Sequence, residues 1–260
     1  MMTHFQAALL GIIQGLTEFL PVSSSGHLAL AQALLGIKTG DVTFEVIVHF
    51  GTMLAVITVL RRRIQELLIG LIRRDPTSLK MIGLLALASV PAAVVGLTLQ
   101  DTLSAAFANP FTVSILLVVT GIVLFSTRGL SGERMVDTVW TSIAVGIAQA
   151  TAVFPGISRS GFTIATGLWC RVEAGEAATF SFLLAIPITA GATAVKVGEL
   201  APGGTGTESW SVLLVGAVAA YISGVLSIRW MLSILGRGEL VRFAYYCLAV
   251  GIAGTIAFWA

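Results

Sequence analysis

Six stretches of this chain stay apolar for long enough to cross a lipid bilayer, and those lengths constrain the fold more than any other feature. A spanning helix needs about 20 mostly apolar residues, because the hydrocarbon core is about 30 Å thick and a helix rises about 1.5 Å per residue. The stretches run Phe44–Leu60, Met81–Leu99, Phe111–Phe125, Ala177–Val195, Ser211–Met231 and Phe243–Trp259. Charge is scarce to match: of 260 residues 11% are charged and 56% hydrophobic, against about 25% charged in a soluble domain. Such a chain cannot cover a water-facing surface and reads as an integral membrane protein. A net charge of +2 with scattered basic residues excludes the dense Lys/Arg stripe of a nucleic-acid binder. Cys170 and Cys247 both sit in apolar runs and offer neither a disulfide framework nor a metal-ligand spacing.

Two further apolar stretches, Phe5–Leu35 and Trp140–Trp169, are interrupted midway by Pro, Gly and Ser. The first break reads Pro21-Val22-Ser23-Ser24-Ser25-Gly26 and the second Pro155-Gly156-Ile157-Ser158-Arg159-Ser160-Gly161. Each half is too short to span. Irregular backbone survives at membrane depth only inside protein or against a wet cavity, so both stretches are predicted to be re-entrant helical hairpins. Glu18 lies inside the first apolar run, which reads as mature structure and not as a signal peptide. The basic residues Arg61, Arg62, Arg63, Arg73, Arg74 and Lys80 fall in one connection, Arg128 and Arg134 in a second, and Arg229, Arg237 and Arg242 in a third. By the positive-inside rule these three are cytoplasmic, and the connections Gln100–Pro110 and Gly198–Ser209, which carry acids and no arginine, lie outside.

Laid over each other at a constant offset, Gly11, Ile12, Gln14, Phe19, Ser23, Ser25 and Gly26 meet Gly146, Ile147, Gln149, Phe154, Ser158, Ser160 and Gly161 without a gap. Thr43-Phe44 meets Thr179-Phe180 with a one-residue slip. Three spanning helices separate equivalent points, an odd number, so the second copy must be upside down. The predicted fold is an all-α polytopic membrane protein with about six transmembrane helices plus two re-entrant hairpins. It forms one integral membrane domain, 1–260, holding an inverted-topology repeat of 1–130 and 136–260. Such repeats place broken-helix sites near the bilayer midplane, where half-helix N-termini suit anions.

Glu18 follows Gln14 by one helical turn, which stacks the two on one face. A carboxylate in an apolar interior is normally paired, wet or metal-bound. Ser23, Ser24 and Ser25 precede Gly26 and His27 at a helix start. One serine serves as an N-cap; three, with the free amides of that terminus, make an anion cradle suited to phosphate. His27 adds a proton donor or acceptor near neutral pH. Arg159 sits between two serines with no acid nearby in the sequence, so its guanidinium is expected to bind phosphate oxygens or to pair with Glu18, two readings that can coexist. Glu45 and His49, near the outer end of a spanning helix, read as interfacial. Neither break contains a nucleophile elbow, and no Walker A loop is present.

Gln14-Gly15-Leu16-Thr17-Glu18-Phe19-Leu20-Pro21-Val22-Ser23-Ser24-Ser25-Gly26-His27 and Pro155-Gly156-Ile157-Ser158-Arg159-Ser160-Gly161-Phe162-Thr163 resemble the two signatures of the undecaprenyl-diphosphate phosphatase family, also called the bacitracin-resistance protein family. Gln14 stands where some members have Glu. The resemblance implies removal of the terminal phosphate from undecaprenyl diphosphate in the bacterial inner membrane, at a site open to the periplasm. It also implies a divalent cation, Mg2+ or Ca2+, and leaves a homodimer open. By this analogy Glu18, His27, Ser24 and Arg159 are catalytic, and Glu18 with Gln14 holds the cation. Phosphate falls to Ser23, Ser25, Gly26, Ser158, Ser160, Gly156 and Thr163. The nucleophile is Ser24, His27 or a water activated by His27. A transporter or flippase using the same anion site is the competing class, because inverted repeats with broken helices are also transporter architecture.

Overall fold

The computed structural model describes residues 2–37, 43–200, 208–235 and 240–259. Among them are twelve helices: α1 His4–Phe19, α2 Ser24–Leu34, α3 Thr43–Val59, α4 Arg61–Ile72, α5 Pro76–Thr98, α6 Gln100–Phe107, α7 Pro110–Phe125, α8 Val139–Thr151, α9 Arg159–Trp169, α10 Ala174–Leu200, α11 Trp210–Leu235 and α12 Leu240–Ala257. All six predicted spans have become helices, namely α3, α5, α7, α10, α11 and α12. Four of these, α5, α10, α11 and α12, are long and apolar enough to cross a membrane by themselves; α3 and α7 are shorter, at 17 and 16 residues. The protein is an all-α, multi-pass membrane protein. Each interrupted stretch is a helix, a short break and a second helix: α1–α2 and α8–α9.

Local sequence explains where the helices begin. Thr3 and Gln6 form a capping box on α1, and Asn109 caps α7 ahead of Pro110. Ser23 and Ser158 cap α2 and α9 through Gly26 N–H at 3.2 Å and Gly161 N–H at 3.1 Å. Each cap satisfies an amide that lipid could not.

Small residues then let helices close on one another, the usual device where no hydrophobic drive exists between helices. α1 packs on α11 and α5 on α8. A Cβ at Gly15 would lie 2.0 Å from Ser223 Oγ, so only glycine admits this approach. Ser227 Oγ donates to the Leu16 carbonyl at 2.7 Å, and Ser142 Oγ to the Leu84 carbonyl at 2.6 Å. α3 packs on α10 and α7 on α12, and Phe19 meets Phe182 edge to face at 5.3 Å.

Two connections differ from expectation. Arg61–Arg63 open helix α4, bent 78° from α3, and the connection Gln100–Pro110 contains α6. In α4 the arginines lowered the apolar count below that of a span, yet Leu67 is buried while Leu68, Ile69 and Ile72 are exposed. That pattern suits a helix lying in the membrane interface. Arg237 and most of the Gly198–Ser209 connection lie outside the described residues.

A candidate active site where the two breaks cross

The last turn of α1 delivers Glu18, 8% exposed, to the gap between the breaks. Three elements converge on its carboxylate. Oε1 takes an ion pair from Arg159 Nη2 at the start of α9. Oε2 accepts from the hydroxyl of Ser24, the first residue of α2, and from Gln14 Nε2 at 2.8 Å. A buried carboxylate is tolerable here because opposite charge and hydrogen bonds replace its water. Of the two sequence readings of Arg159, which can coexist, the structure displays the pair with Glu18.

The backbone that holds these groups is tightly crossed. Ser160 Oγ, in the second break, donates to the Leu20 carbonyl of the first at 2.9 Å. A Cβ on Gly26 would come within 3.1 Å of Gly156 Cα. Ser23 adopts φ +67°, costly for a residue with a Cβ, and its carbonyl accepts both the His27 amide at 3.1 Å and His27 Nδ1–H at 2.8 Å. Ser23 and Ser25 hydroxyls lie 3.3 Å apart.

The other predicted residues take supporting positions. Thr120 Oγ1, from α7, donates to the Gly156 carbonyl at 2.9 Å and accepts the Ser158 amide at 3.0 Å. Ser158 Oγ caps Gly161, and Thr163 Oγ1 bonds Arg159 O and Ser181 Oγ, each at 2.7 Å. Ser158, Ser160 and Thr163 are 1–2% exposed, so their hydroxyls brace the break instead of facing an incoming phosphate. His27 does not reach Glu18 or Ser24 by a hydrogen bond; its Nε2 lies 2.8 Å from Tyr246 Oη.

Sequence reasoning missed two neighbours. His49, expected at the interface, places Nε2 3.6 Å from Glu18 Oε2, while its Nδ1–H donates to the Glu45 carbonyl at 2.7 Å. Its spacing from Glu45 pointed along its own helix, and nothing local tied it to Glu18, thirty-one positions back. Tyr246 lies in an apolar run with no polar motif around it.

No group of three His, Cys, Asp or Glu forms a metal cluster among the described residues. Gln14 Oε1, however, is buried without a hydrogen-bond partner, an expense normally offset by a ligand or ion. One carboxylate and one amide oxygen fit a hard cation that keeps water and substrate phosphate as its remaining ligands.

A buried carboxylate paired with arginine and touching a serine hydroxyl at a helix N-terminus makes a charged, polar centre inside a helical membrane bundle. The family profile described as Bacitracin resistance protein BacA matches residues 7–253, and the chain belongs to that family. Relatives named Undecaprenyl-diphosphatase match along nearly their whole length. The one from Salinibacter ruber is 43% identical over 97% of this chain and 98% of its own. Those from Syntrophotalea carbinolica and Korarchaeum cryptofilum are 42% and 40% identical, over 96% and 95% of this chain and 97% of each relative.

Proposed function

We propose that the protein is an undecaprenyl-diphosphatase, which hydrolyses the terminal phosphate of undecaprenyl diphosphate. The product is the monophosphate carrier lipid reused in peptidoglycan synthesis, and its regeneration confers bacitracin resistance. The relatives' printed activity supports the reaction. The observation that carries it to these residues is the Ser24 hydroxyl donating to Glu18. A carrier needs an anion site and no nucleophile, so this hydrogen bond favours hydrolysis over transport.

Glu18 accepts the Ser24 proton as Oγ attacks the terminal phosphorus. The bond from that phosphorus to the bridging oxygen breaks, and the lipid monophosphate leaves with the bridging oxygen. An arriving phosphate competes with Glu18 for Arg159, whose planar fork then binds phosphoryl oxygens and stabilises the charge of the transition state. The helix starts of α2 and α9, with Ser23, Ser25 and Gly26, add amide and hydroxyl dipoles on the same side. Water then attacks the phosphorus as His27 takes its proton, the bond from phosphorus to Ser24 Oγ breaks, Glu18 returns the proton to Oγ, and phosphate leaves. Glu18 and Gln14 would hold the divalent cation, Mg2+ or Ca2+, which when bound neutralises diphosphate charge as a Lewis acid.

The residues 1–130 and 136–260 form an inverted repeat in this reading. Support comes from Gly11 and Gly146, aligned in sequence, which both sit at close helix approaches, 2.3 Å from the Gly216 carbonyl and 2.9 Å from the Ala88 carbonyl for an added Cβ. The Met2 amide, just before α1, donates to Glu208 at 2.9 Å, in a connection that the positive-inside rule sets opposite Arg61–Arg63, which supports a site open to the periplasm of the bacterial inner membrane.

The test is phosphate release from undecaprenyl diphosphate by purified protein in detergent, with and without EDTA. Release that EDTA abolishes supports the reading; lipid binding without release would leave a carrier with the same anion site.

A further inference from the structure

His27 is held from two sides. Its Nδ1 lies 2.8 Å from the Ser23 carbonyl, and a carbonyl only accepts, so Nδ1 carries the proton. In the neutral ring Nε2 then offers a lone pair, and Tyr246 Oη, 2.8 Å away, donates to it. The two rings stack almost parallel, with centroids 5.6 Å apart and planes 8° from each other. Tyr246 is 45% exposed, so it does not fill the core like an ordinary interior aromatic. Its chain neighbour Cys247 is fully buried and donates Sγ–H to the Pro21 carbonyl at 3.5 Å. Consecutive residues of α12 therefore grip the first break at both ends, at Pro21 and at His27.

We infer that Tyr246 is a positioning residue for His27, fixing its tautomer and ring plane so that Nε2 presents a lone pair to the reacting water that displaces the phenol. This rests on the assignment of His27 to phosphoryl transfer. A free imidazole at a break would rotate about two side-chain bonds and exchange tautomers; the Ser23 carbonyl sets the proton, and the phenol sets the plane. Ring orientation set by the partner of the other nitrogen is a general device for histidine.

Two measurements test it. The chain has three histidines, so 15N-histidine spectra in detergent micelles can resolve each ring. Tyr246→Phe keeps the stack and removes the hydroxyl. It is expected to shift the His27 Nε2 resonance and leave His4 and His49 unmoved. In phosphate release, Tyr246→Phe should lower kcat roughly 5- to 20-fold, less than the roughly 10²- to 10⁴-fold of losing a general acid–base group outright, with KM within about twofold. In a His27→Ala background the same substitution should cost nothing further, since the two act as a unit. An unmoved His27 resonance, or a Tyr246→Phe penalty that repeats in full without His27, overturns the inference. The spectrum decides even if the wild-type protein releases no phosphate, a result that would count against the proposed reaction instead.

Discussion

In the first break the chain turns at Ser23, with φ +67°, whereas in the second it turns at Gly156, with φ +96°. The serine aligned with Ser23, Ser158, has an ordinary φ of −78°. Glycine takes such a conformation at little cost, and a residue with a Cβ does not. Beyond the turn the two breaks diverge further. Ser24 and His27 are partly exposed, and Ser24 engages Glu18. Ser158, Ser160 and Thr163 are sealed among backbone groups and Thr120. Gln14 reaches the Glu18 carboxylate, while its counterpart Gln149 donates to the Ala88 carbonyl at 3.4 Å. One break carries the strained turn and, in the proposed function, the nucleophile; the other is a relaxed brace that contributes a single cation, Arg159, across the gap.

If that division holds, substitutions in the two breaks should separate rate from stability. Glu18→Gln keeps shape and removes the proton acceptor, and should lower phosphate release about 10³-fold, within the range for general acid–base groups. Its melting temperature should also fall, since Arg159 loses its counter-ion. Arg159→Lys retains charge but not the fork, and should cost about 10²-fold in kcat, read from steady-state release. Thr120→Val acts oppositely. It strands the Gly156 carbonyl and the Ser158 amide, a loss of roughly 1–3 kcal/mol, which scanning calorimetry in detergent should register as a melting point lower by about 3–8 °C while the rate stays within a few-fold. A Thr120→Val enzyme that melts normally but is inactive would break the comparison. The smallest effect lies outside both breaks. The Ser78 backbone amide beside Asp75 holds its carboxyl below the usual carboxylate range. A depressed carboxyl contributes stability at pH values above its unfolded pKa and loses it as pH falls through the folded one. Asp75→Ala should therefore melt slightly lower than wild type at neutral pH, and the gap should close in acid.

Much of this was legible in the sequence for physical reasons that can be named. The six apolar runs predicted α3, α5, α7, α10, α11 and α12 because lipid imposes a length. The Pro/Gly/Ser interruptions marked both breaks because the backbone cannot stay helical through them. Glu18, Arg159 and the serine triplet Ser23–Ser25 stood out as polar groups at membrane depth, the family resemblance picked Ser24 from the triplet, and the structure brings Glu18, Ser24 and Arg159 together. Other assignments needed contacts that no local pattern carries. Ser160 and Thr163 were assigned to phosphate through the family resemblance of the second break, and the structure shows their hydroxyls engaged by Leu20 and Ser181. His49 and Tyr246 reach the site from spans whose periodicity says only that they are helical. Helix α4 was hidden by its arginines, which read as a loop until its apolar face was counted.

The most direct test of the account is kcat for undecaprenyl diphosphate hydrolysis by Ser24→Ala, measured beside wild type with melting temperatures for both. If Ser24 is the nucleophile activated by Glu18, the rate should fall at least about 10³-fold and the melting temperature should hardly move. A folded Ser24→Ala protein that releases phosphate within threefold of wild type would contradict the assignment of the chemistry to the first break.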